Sequence, residues 1–535
     1  MAPRPALLPV LLVAVLLAGA FAGCLGGGDP GPKTKARREI PIGAVPASAK
    51  VERVGTDVHL VWPDVALPFR ETVSVPAEAT LIRLVTVGPA GVAVRSNMVD
   101  ADTGRRRCNT DSVNAWGYGI TGTHICSGTA LIDPPGAKWN LIASGPAGSK
   151  ATVRLEFSSA PLDGLAGKLN LGELSMPTFV VTPTKGELVP SFDGQRMWVE
   201  VTLPEGPGPW PTVMAASPYN GQSRRINAPG GTPAMWTYFT HDWARRGYAI
   251  VNVDVRGFGL SEGCVEIWGK NEQRDQAFMV DWVAKQPWSD GRVGFYGQSY
   301  VGTTPVEAAV QAPEALKAII AVAPVINAYE DWHFGGVPNG ENLGSPVAYQ
   351  GVTDPPGQGA TPEAIVRNKA KGVCEPTVFA RANDPRAVYD DFYKERNFKL
   401  RAKDVKAAVL FTEGFEDSNV KSSMIPGWFN ELPGPKLGIF GHWVHQHPTR
   451  ADEELLFLGW MDHYVKGRDL GFDTIPPVEV VTNVDTIRQA QLWPDPAAPI
   501  RELWPDFPAG KLHSEKPASL PQVQLLVTPV GEQQA

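Results

Sequence analysis

The sequence predicts an α/β fold, in which a mainly parallel sheet is covered by helices on both faces. Apolar strand-like stretches such as "YAIVNVDVRG" and "RVGFYG" alternate with two helical stretches, the amphipathic "QRDQAFMVDWVAKQP" and "PVEAAVQAPEALKA". The strand-like cores are continuously apolar, as in sheets that are buried on both faces. A strand-then-loop pattern resumes further along the chain in "KAAVLFTEGFED" and "KLGIFGHWVHQHP". These three observations together favour the α/β class.

The remaining regions predict further domains around this α/β core. The chain has 535 residues, which is too long for one compact core. We assign residues 163–480 to the α/β domain, with a helical cap insertion at about 327–400, where the alternation breaks. Residues 47–162 contain short alternating runs, such as "DVHLVW" and "ATVRLEF", and predict a β-sandwich-like domain. Residues 481–535 are Pro-rich with short β runs, which predicts a partial C-terminal β domain.

The N-terminus has the pattern of an export signal. Residues 1–24, "MAPRPALLPVLLVAVLLAGAFAGC", have an early positive charge, an apolar run and small residues before Cys24. This pattern predicts a signal peptide with a lipobox, after which Cys24 is acylated and residues 25–46 form a flexible tether. An uncleaved anchor and an ordinary cleaved signal are the alternatives. All three predict an extracytoplasmic protein, either a cell-membrane lipoprotein or a secreted one.

Charge and cysteine content narrow the choice of partners and cofactors. The net charge of −7 argues against a nucleic acid partner. Apart from Cys24 there are four cysteines, and an even number in an oxidising compartment predicts two disulfides. Local pairing favours Cys108–Cys126, which leaves Cys264–Cys374. The sequence has no CxxC spacing, so we expect no zinc site built on thiolates, and nothing in it predicts a cofactor.

The stretch "GRVGFYGQSYVGTTP" places Ser299 between a predicted strand and a predicted helix. A sharp strand-to-helix turn exposes such a side chain as a nucleophile and turns the amide of Tyr300 toward a substrate carbonyl oxygen. Side chains in place of Gly297 and Gly302 would collide with the neighbouring strand and helix. The segment departs from the pattern G-x-S-x-G at Val301. Taken alone, a serine in a Gly-rich turn is more often structural than catalytic.

An acid and a base follow Ser299 in the chain order that this fold requires, Ser, then Asp, then His. The strand-like stretch "LFTEGFED" ends with Asp417, and "IFGHWVHQHP" ends the next strand with three histidines. Both loops lie at the C-terminal ends of predicted strands, where parallel sheets build their sites. The alternatives are a helix-capping Asp, a solvated histidine cluster, and a zinc site made of His442, His445 and His447.

These residues and motifs resemble the X-Pro dipeptidyl-peptidase and cocaine-esterase-like family of α/β-hydrolases (CocE/NonD-type serine hydrolases). The resemblance runs from "VPSFDGQRMWVEVTLP" to the end and rests on "ASPYN", "DVRGFGLSEG", "WVAKQPWSDGRVGFYGQSYVGT", "EDSNVK" and "GHWVHQH". It implies an α/β-hydrolase core with Ser299 as nucleophile, Asp417 as acid and His445 as base. It also implies an oxyanion hole made by the Tyr219 hydroxyl and the Tyr300 amide.

The same resemblance bears on regions around these residues. Family members usually end in a jelly-roll domain, so we expect residues 481–535 to be a short, reduced or truncated β jelly-roll segment. Asp254 and Arg256, in "DVRGFGLSEG", are expected to hold their loop rather than to act on the substrate. Glu413 and Glu416, close to the predicted acid, are expected to be orienting or solvated.

The predicted function is that of an extracytoplasmic serine hydrolase that forms an acyl-enzyme and is most similar to the X-Pro dipeptidyl-peptidases. A cocaine-esterase-like ester or amide hydrolase is the alternative, and a non-catalytic surface lipoprotein is a further one. An exopeptidase must bind a substrate ammonium, for which Glu330, Asp331 or Glu341 is available, with Trp332 lining an apolar pocket. Helix capping is an equally good interpretation of these acids. We expect a peptide, ester or amide substrate, membrane attachment through a lipid, no metal and no nucleic acid.

Overall fold

The computed structural model describes residues 39–41, 45–102, 107, 109–110, 122–162, 164–219, 242–334, 337–339, 378, 381, 384, 386–482, 487–496, 504–506 and 511–515. The chain divides into two compact units, residues 1–36 and 37–535, and all described residues belong to the second. The predicted signal peptide, Cys24 and most of the predicted tether therefore lie outside the described residues. Within the described ranges, no helix has the length and apolar character needed to span a membrane.

The region before residue 160 consists of antiparallel strands. Its described strands are β1 (Lys50–Val54), β2 (Asp57–Ala66), β3 (Phe69–Ser74), β4 (Leu81–Val87), β5 (Arg95–Asp100), β6 (Asn109–Thr110), β7 (Thr123–Thr129), β8 (Lys138–Ser144) and β9 (Lys150–Ser158). They form one sheet with the order β1-β2-β9-β4-β7-β6 and another with the order β3-β8-β5. Trp62 and Leu84 of the first sheet share a buried core with Met98 and Trp139 of the second. Side chains along β9 alternate between buried and partly exposed, as expected for a strand with one face on a core.

A ten-stranded sheet follows, with the order β10-β11-β13-β12-β14-β15-β18-β19-β20-β21. Its strands are β10 (Lys185–Pro190), β11 (Arg196–Thr202), β12 (Trp210–Ser217), β13 (Ala249–Asp254), β14 (Ser289–Gln298), β15 (Leu316–Val322), β18 (Ala408–Gly414), β19 (Lys436–Gly441), β20 (Val478–Val481) and β21 (Ile487–Ala490). The pairs from β13 to β20 are parallel, and the pairs at both edges are antiparallel. This is the mainly parallel sheet that the sequence predicts.

Helices cover both faces of this sheet. The described α-helices are α1 (Lys270–Ala284), α2 (Tyr300–Ala309), α3 (Ala328–Trp332), α4 (Asp391–Glu395), α5 (Pro426–Phe429) and α6 (Glu453–Tyr464). Consecutive residues of β13 belong to different cores, because Val251 packs with Met279 of α1 and Val306 of α2, whereas Ile250 packs with Leu456 of α6. Successive side chains of a strand point to opposite faces, so α1 and α2 cover one face and α6 the other.

One predicted helix is shorter in the structure than the sequence suggests. The stretch "PVEAAVQAPEALKA" was expected to be helical throughout, but α2 ends at Ala309 and β15 already begins at Leu316. The physical reason is Pro313, which has no N–H to donate and disfavours the helical conformation of the residue before it. That residue, Ala312, has a φ of 52°.

The predicted cap and C-terminal regions are described only in part. In the cap, α3 is followed by the paired strands β16 (His333–Phe334) and β17 (Val337–Pro338), and later by α4. After residue 481, β21 continues the main sheet, and β22 (Trp504–Asp506) pairs with β23 (Lys511–His513). The jelly-roll expected at the C-terminus stays a prediction.

Candidate active site

Ser299 lies in a sharp turn between β14 and α2. Its backbone has φ 61° and ψ −129°, a conformation that L-residues rarely adopt and that costs about 1–3 kcal/mol. The Ser299 N–H donates to the carbonyl oxygen of Val322 at 2.8 Å, at the end of the neighbouring strand β15. The Ser299 carbonyl oxygen accepts from the N–H groups of Gly302 and Thr303 at 2.8 and 3.0 Å. The sheet and the helix therefore hold the strained residue from both sides.

The two glycines that flank Ser299 allow this turn to pack closely. A Cβ atom at Gly297 would overlap the carbonyl oxygen of Val301 in the first turn of α2. A Cβ atom at Gly302 would lie 2.5 Å from the carbonyl oxygen of Val322. The collisions are with the backbone of the helix and of the neighbouring strand, so no side-chain movement relieves them.

Ser299, His445 and Asp417 form a continuous chain of hydrogen bonds. Ser299 Oγ lies 2.8 Å from His445 Nε2, and His445 Nδ1 lies 2.7 Å from Asp417 Oδ2. Ser299 directly follows β14, Asp417 follows β18, and His445 follows β19. These strands are parallel members of one sheet, so their carboxyl ends lie at the same edge. The structure thus brings together the three side chains that the sequence selects.

The carboxylate of Asp417 is fixed by its own loop. Oδ1 accepts hydrogen bonds from the backbone N–H groups of Asn419 and Val420, both at 2.8 Å. The Asp417 side chain is fully buried, while that of His445 is 16 % exposed. This arrangement directs Oδ2 at Nδ1 of the imidazole and leaves Nε2 to face Ser299. It favours the tautomer with the proton on Nδ1, which is the one that a base for Ser299 requires.

The two residues predicted to form the oxyanion hole both contact or belong to α2, the helix that follows Ser299. Tyr219 lies two residues after β12, packs against Val301 and donates its backbone N–H to Ser217 Oγ at 2.9 Å. Tyr300 is the first residue of α2, and its buried hydroxyl forms a 2.7 Å hydrogen bond with Glu272 Oε1 in α1. The backbone amide of Tyr300 therefore belongs to a helix N-terminus that α1 anchors, where partial positive charge favours a developing oxyanion.

The predicted substrate-binding residues of the cap have different surroundings. Glu330 is paired with Lys399 Nζ through both carboxylate oxygens, at 2.8 and 2.6 Å, so its charge is already compensated. Trp332 is fully buried and stacks on Trp268 at 5.7 Å, which favours a place in the core over the predicted pocket lining. Asp331 is buried, and its charge contributes to a raised pKa of the Glu413 carboxyl. Glu341 lies outside the described residues.

The remaining two histidines have partners of their own. His442 Nδ1 lies 2.7 Å from Glu416 Oε1 at a half-exposed position. His447 Nε2 lies 3.0 Å from the Tyr296 hydroxyl, and its Nδ1 contacts Glu453. The three rings of the HxxHxH segment thus make separate contacts, which favours the serine site over the zinc site that the spacing also allowed. Among the described residues, no group of three or more His, Cys, Asp or Glu side chains is arranged to hold a metal.

Arg256 and Asp254 hold a loop, as the sequence interpretation expects. Arg256 Nε and Nη2 donate to the two carboxylate oxygens of Asp275 in α1, at 2.7 and 2.8 Å. Its Nη1 donates to Asp193 at 2.9 Å. Asp254 Oδ2 accepts from the backbone N–H of Leu260 at 2.7 Å and closes the turn.

Sequence reasoning missed the burial of acids around this site. Glu413 is 1 % exposed and so is not solvated, and Glu272 is fully buried beneath Tyr300. The strand pattern of "AVLFTEG" was the available signal, because it places Glu413 within a run of buried residues.

The predicted disulfides are only partly within the described residues. Cys126 lies buried on β7 and Cys264 lies in the loop after β13, and both are disulfide-bonded. Their expected partners, Cys108 and Cys374, lie outside the described residues. The pairings Cys108–Cys126 and Cys264–Cys374 therefore stay a prediction.

Comparisons with known proteins show similarity to peptidases and esterases. Residues 193–447 match the family model of the X-Pro dipeptidyl-peptidases (S15 family). A candidate Xaa-Pro dipeptidyl-peptidase of Bacillus anthracis is 29 % identical over 291 residues, which cover 50 % of this chain and 47 % of that protein. The cocaine esterase of a Rhodococcus species is 35 % identical over 132 residues, or 25 % of this chain and 22 % of that protein. The chain thus spans about half the length, or less, of these curated relatives, and the resemblance inferred from the sequence is confirmed.

A solved structure shows the same fold. A CocE/NonD family hydrolase from Staphylococcus aureus superimposes with a TM-score of 0.50 at 21 % identity, over 64 % of this chain and 61 % of that chain. The match supports an α/β-hydrolase core.

Proposed function

We propose that this protein is an extracytoplasmic serine hydrolase that works through a covalent acyl-enzyme, with Ser299 as nucleophile, His445 as base and Asp417 as the acid that orients the base. The observation that carries the proposal is the hydrogen-bond chain from Ser299 Oγ to His445 Nε2 at 2.8 Å and from His445 Nδ1 to Asp417 Oδ2 at 2.7 Å. The strained turn at Ser299 and the match of residues 193–447 to a peptidase family support it.

In the proposed reaction, Ser299 Oγ attacks the substrate carbonyl carbon while His445 Nε2 takes the hydroxyl proton. Asp417 stabilises the imidazolium that forms and does not itself become protonated. The Tyr300 amide and the Tyr219 hydroxyl donate to the oxyanion, and His445 then returns the proton to the departing amine or alcohol. Water then attacks the acyl carbon while His445 takes its proton, and His445 returns that proton to Ser299 Oγ as the bond to Ser299 breaks and the acyl group leaves as a carboxylic acid.

For the substrate, we propose an X-Pro dipeptide at a peptide N-terminus, because the family model and the Bacillus anthracis relative carry this specificity in their names. A substrate ammonium needs an anion near the pocket. Glu330 is already paired with Lys399. We propose Asp331, at the start of the cap, as the ammonium partner. An ester hydrolase is the second candidate. The similarity to a cocaine esterase favours it, and so does the burial of Trp332, which was predicted to line the apolar pocket of a peptidase.

The first experiment compares hydrolysis of Gly-Pro-p-nitroanilide, its N-acetylated form and p-nitrophenyl butyrate by the parent protein and by Ser299→Ala. We expect cleavage of the free-amine anilide, its loss in Asp331→Asn, and activity in Ser299→Ala near the level left by binding alone. Cleavage of the butyrate with both anilides untouched would establish the ester hydrolase instead. Unchanged activity in Ser299→Ala would refute the serine mechanism. No hydrolysis of any of the three substrates by the parent, together with no reaction of Ser299 with a fluorophosphonate probe, would favour a non-catalytic surface lipoprotein.

We also propose that the protein is held at the membrane by a lipid on Cys24 or is secreted, as the sequence of residues 1–24 indicates. The two N-terminal sheets are proposed to form a sandwich, and residues 481–535 a reduced jelly-roll. Cys24→Ser should move the protein from the membrane fraction to the medium or the soluble fraction. Retention of the variant in the membrane fraction would contradict the lipid anchor.

A further inference from the structure

Glu413 is a buried acid next to the proposed catalytic acid. It is the second-last residue of β18, is 1 % exposed, and its Oε1 accepts from the Gly414 N–H at 3.0 Å. The loop turns back directly after Glu413, where the Asp417 N–H donates to the Gly414 carbonyl oxygen at 3.2 Å, and this brings the two carboxyl groups within hydrogen-bonding reach of each other. Two carboxyl groups can share a hydrogen bond only if one of them carries a proton, because neither carboxylate has a hydrogen to donate.

The surroundings decide which of the two acids holds the proton. Asp417 receives hydrogen bonds from the amides of Asn419 and Val420 and faces Nδ1 of His445, and each of these contacts favours its anion. Glu413 receives one amide bond. Burial, with the negative charges of Asp417 and of Asp331 from α3, raises the pKa of Glu413 well above its ordinary value.

The neighbouring strands do not offset these charges. On β19 the register partner of Glu413 is the apolar residue Phe440. The charges that act on Glu413 from the following loop and from α3 are both negative. The anion therefore resides on Asp417 and the proton on Glu413.

We propose that Glu413 is a positioning residue, a neutral carboxylic acid that donates a hydrogen bond to the Asp417 carboxylate. This bond sets the orientation of Asp417 and the negative charge that its Oδ2 presents to His445. The inference rests on the proposed function and extends it. Glu413 adds a donor to the two loop amides of Asp417. As a neutral group it keeps the site at a single anion beside the imidazole, whereas a second anion would make His445 hold its proton more tightly.

Two substitutions separate the donor from the acid. Glu413→Gln is nearly isosteric, always neutral and still able to donate to Asp417. We expect kcat within about threefold of the parent, and no shift of the acidic limb of the kcat/KM profile against pH. Glu413→Leu removes the donor, so kcat should fall about tenfold to hundredfold with little change in KM. Because Asp417 then keeps more negative charge for the imidazolium, the acidic limb should move to higher pH.

Glu416→Gln is the matched control, since Glu416 lies in the same loop but is half-exposed and bonded to His442. It should leave both kcat and the pH profile unchanged. A Glu413→Gln profile whose acidic limb moves to lower pH would mean that the parent residue is ionised, and would overturn the inference. Parent-like kcat and pH profile in Glu413→Leu would overturn it as well. If Ser299→Ala is inactive, either of these two results overturns only the role of Glu413 and not the serine mechanism. An active Ser299→Ala would instead refute the proposed function itself.

Discussion

Glu272, fully buried beneath the nucleophile turn, makes the stability of this protein depend on pH in a direction that can be calculated. Burial raises the pKa of Glu272 from an ordinary value of 4.5 to about 8, despite hydrogen bonds from the Tyr300 hydroxyl and the Trp268 N–H. In the unfolded chain the same carboxyl ionises near its ordinary value. Between these two pKa values the folded state therefore binds one proton more than the unfolded state.

The sign and size of the effect follow from this proton. Below about pH 4.5 the Glu272 carboxyl is neutral in both the folded and the unfolded chain. As the pH rises from about 4.5 toward about 8, only the unfolded chain releases the proton, so the free energy of unfolding falls, and the fall is complete at about pH 8. One proton corresponds to about 1.4 kcal/mol per pH unit, or about 2.7 kcal/mol between roughly pH 5.5 and 7.5. Glu307 in α2 is buried with neither carboxylate oxygen hydrogen-bonded among the described residues, and its pKa is also raised, so it acts in the same direction.

The assay is urea unfolding of the parent and of Glu272→Gln at several pH values across this window. The Gln side chain is neutral throughout, so the variant should gain about 2.7 kcal/mol relative to the parent between roughly pH 5.5 and 7.5. Glu205→Gln, at an exposed position, is the control and should show no such change. A difference between parent and Glu272→Gln that stays constant with pH, or that shifts in favour of the parent as pH rises, would refute the reasoning.

Two further predictions concern the framework of the site. Gly297→Ala should lower both the melting temperature and kcat, because the new Cβ overlaps the Val301 backbone. Gly434→Ala is the control and should change neither, since the nearest atom would lie 3.7 Å from its Cβ. In Arg256→Lys the new side chain cannot bond both oxygens of Asp275, a buried acid whose pKa is raised by burial to about 6. Urea unfolding should therefore show a free energy of unfolding lower by about 2–4 kcal/mol. Parent-like stability would contradict the loop-holding role.

The strands and the three triad residues could be predicted from the sequence because their signals are local. A continuously apolar run such as that of β13 indicates a strand buried on both faces, and all six of its residues are buried. Ser299, Asp417 and His445 each follow such a run, and parallel strands bring their carboxyl ends to one edge. Chain order and strand ends were therefore sufficient to select Ser299 and Asp417, whereas the choice of His445 among three histidines came from the family resemblance.

The surroundings of the site could not be predicted, because they depend on which distant segment covers a residue. Nothing near Glu330 in the sequence indicates Lys399, which lies 69 positions further along and neutralises it. The short helix that carries Trp332 has too few turns to show which of its faces is buried. The aromatic residue was therefore expected at a pocket, whereas it packs on Trp268 from another loop.

The distribution of charge around the site has a chemical consequence. A triad needs one anion beside the imidazole of His445, to stabilise the imidazolium that forms when the proton leaves Ser299. The proton on Glu413 and the Lys399 partner of Glu330 each remove one further negative charge. A substrate ammonium needs a further anion near the pocket, and the buried Asp331 at the start of the cap is the acid that we propose for it. The free-amine anilide and its N-acetylated form differ only in this ammonium, so a loss of selectivity between them in Asp331→Asn is the specific sign of that contact.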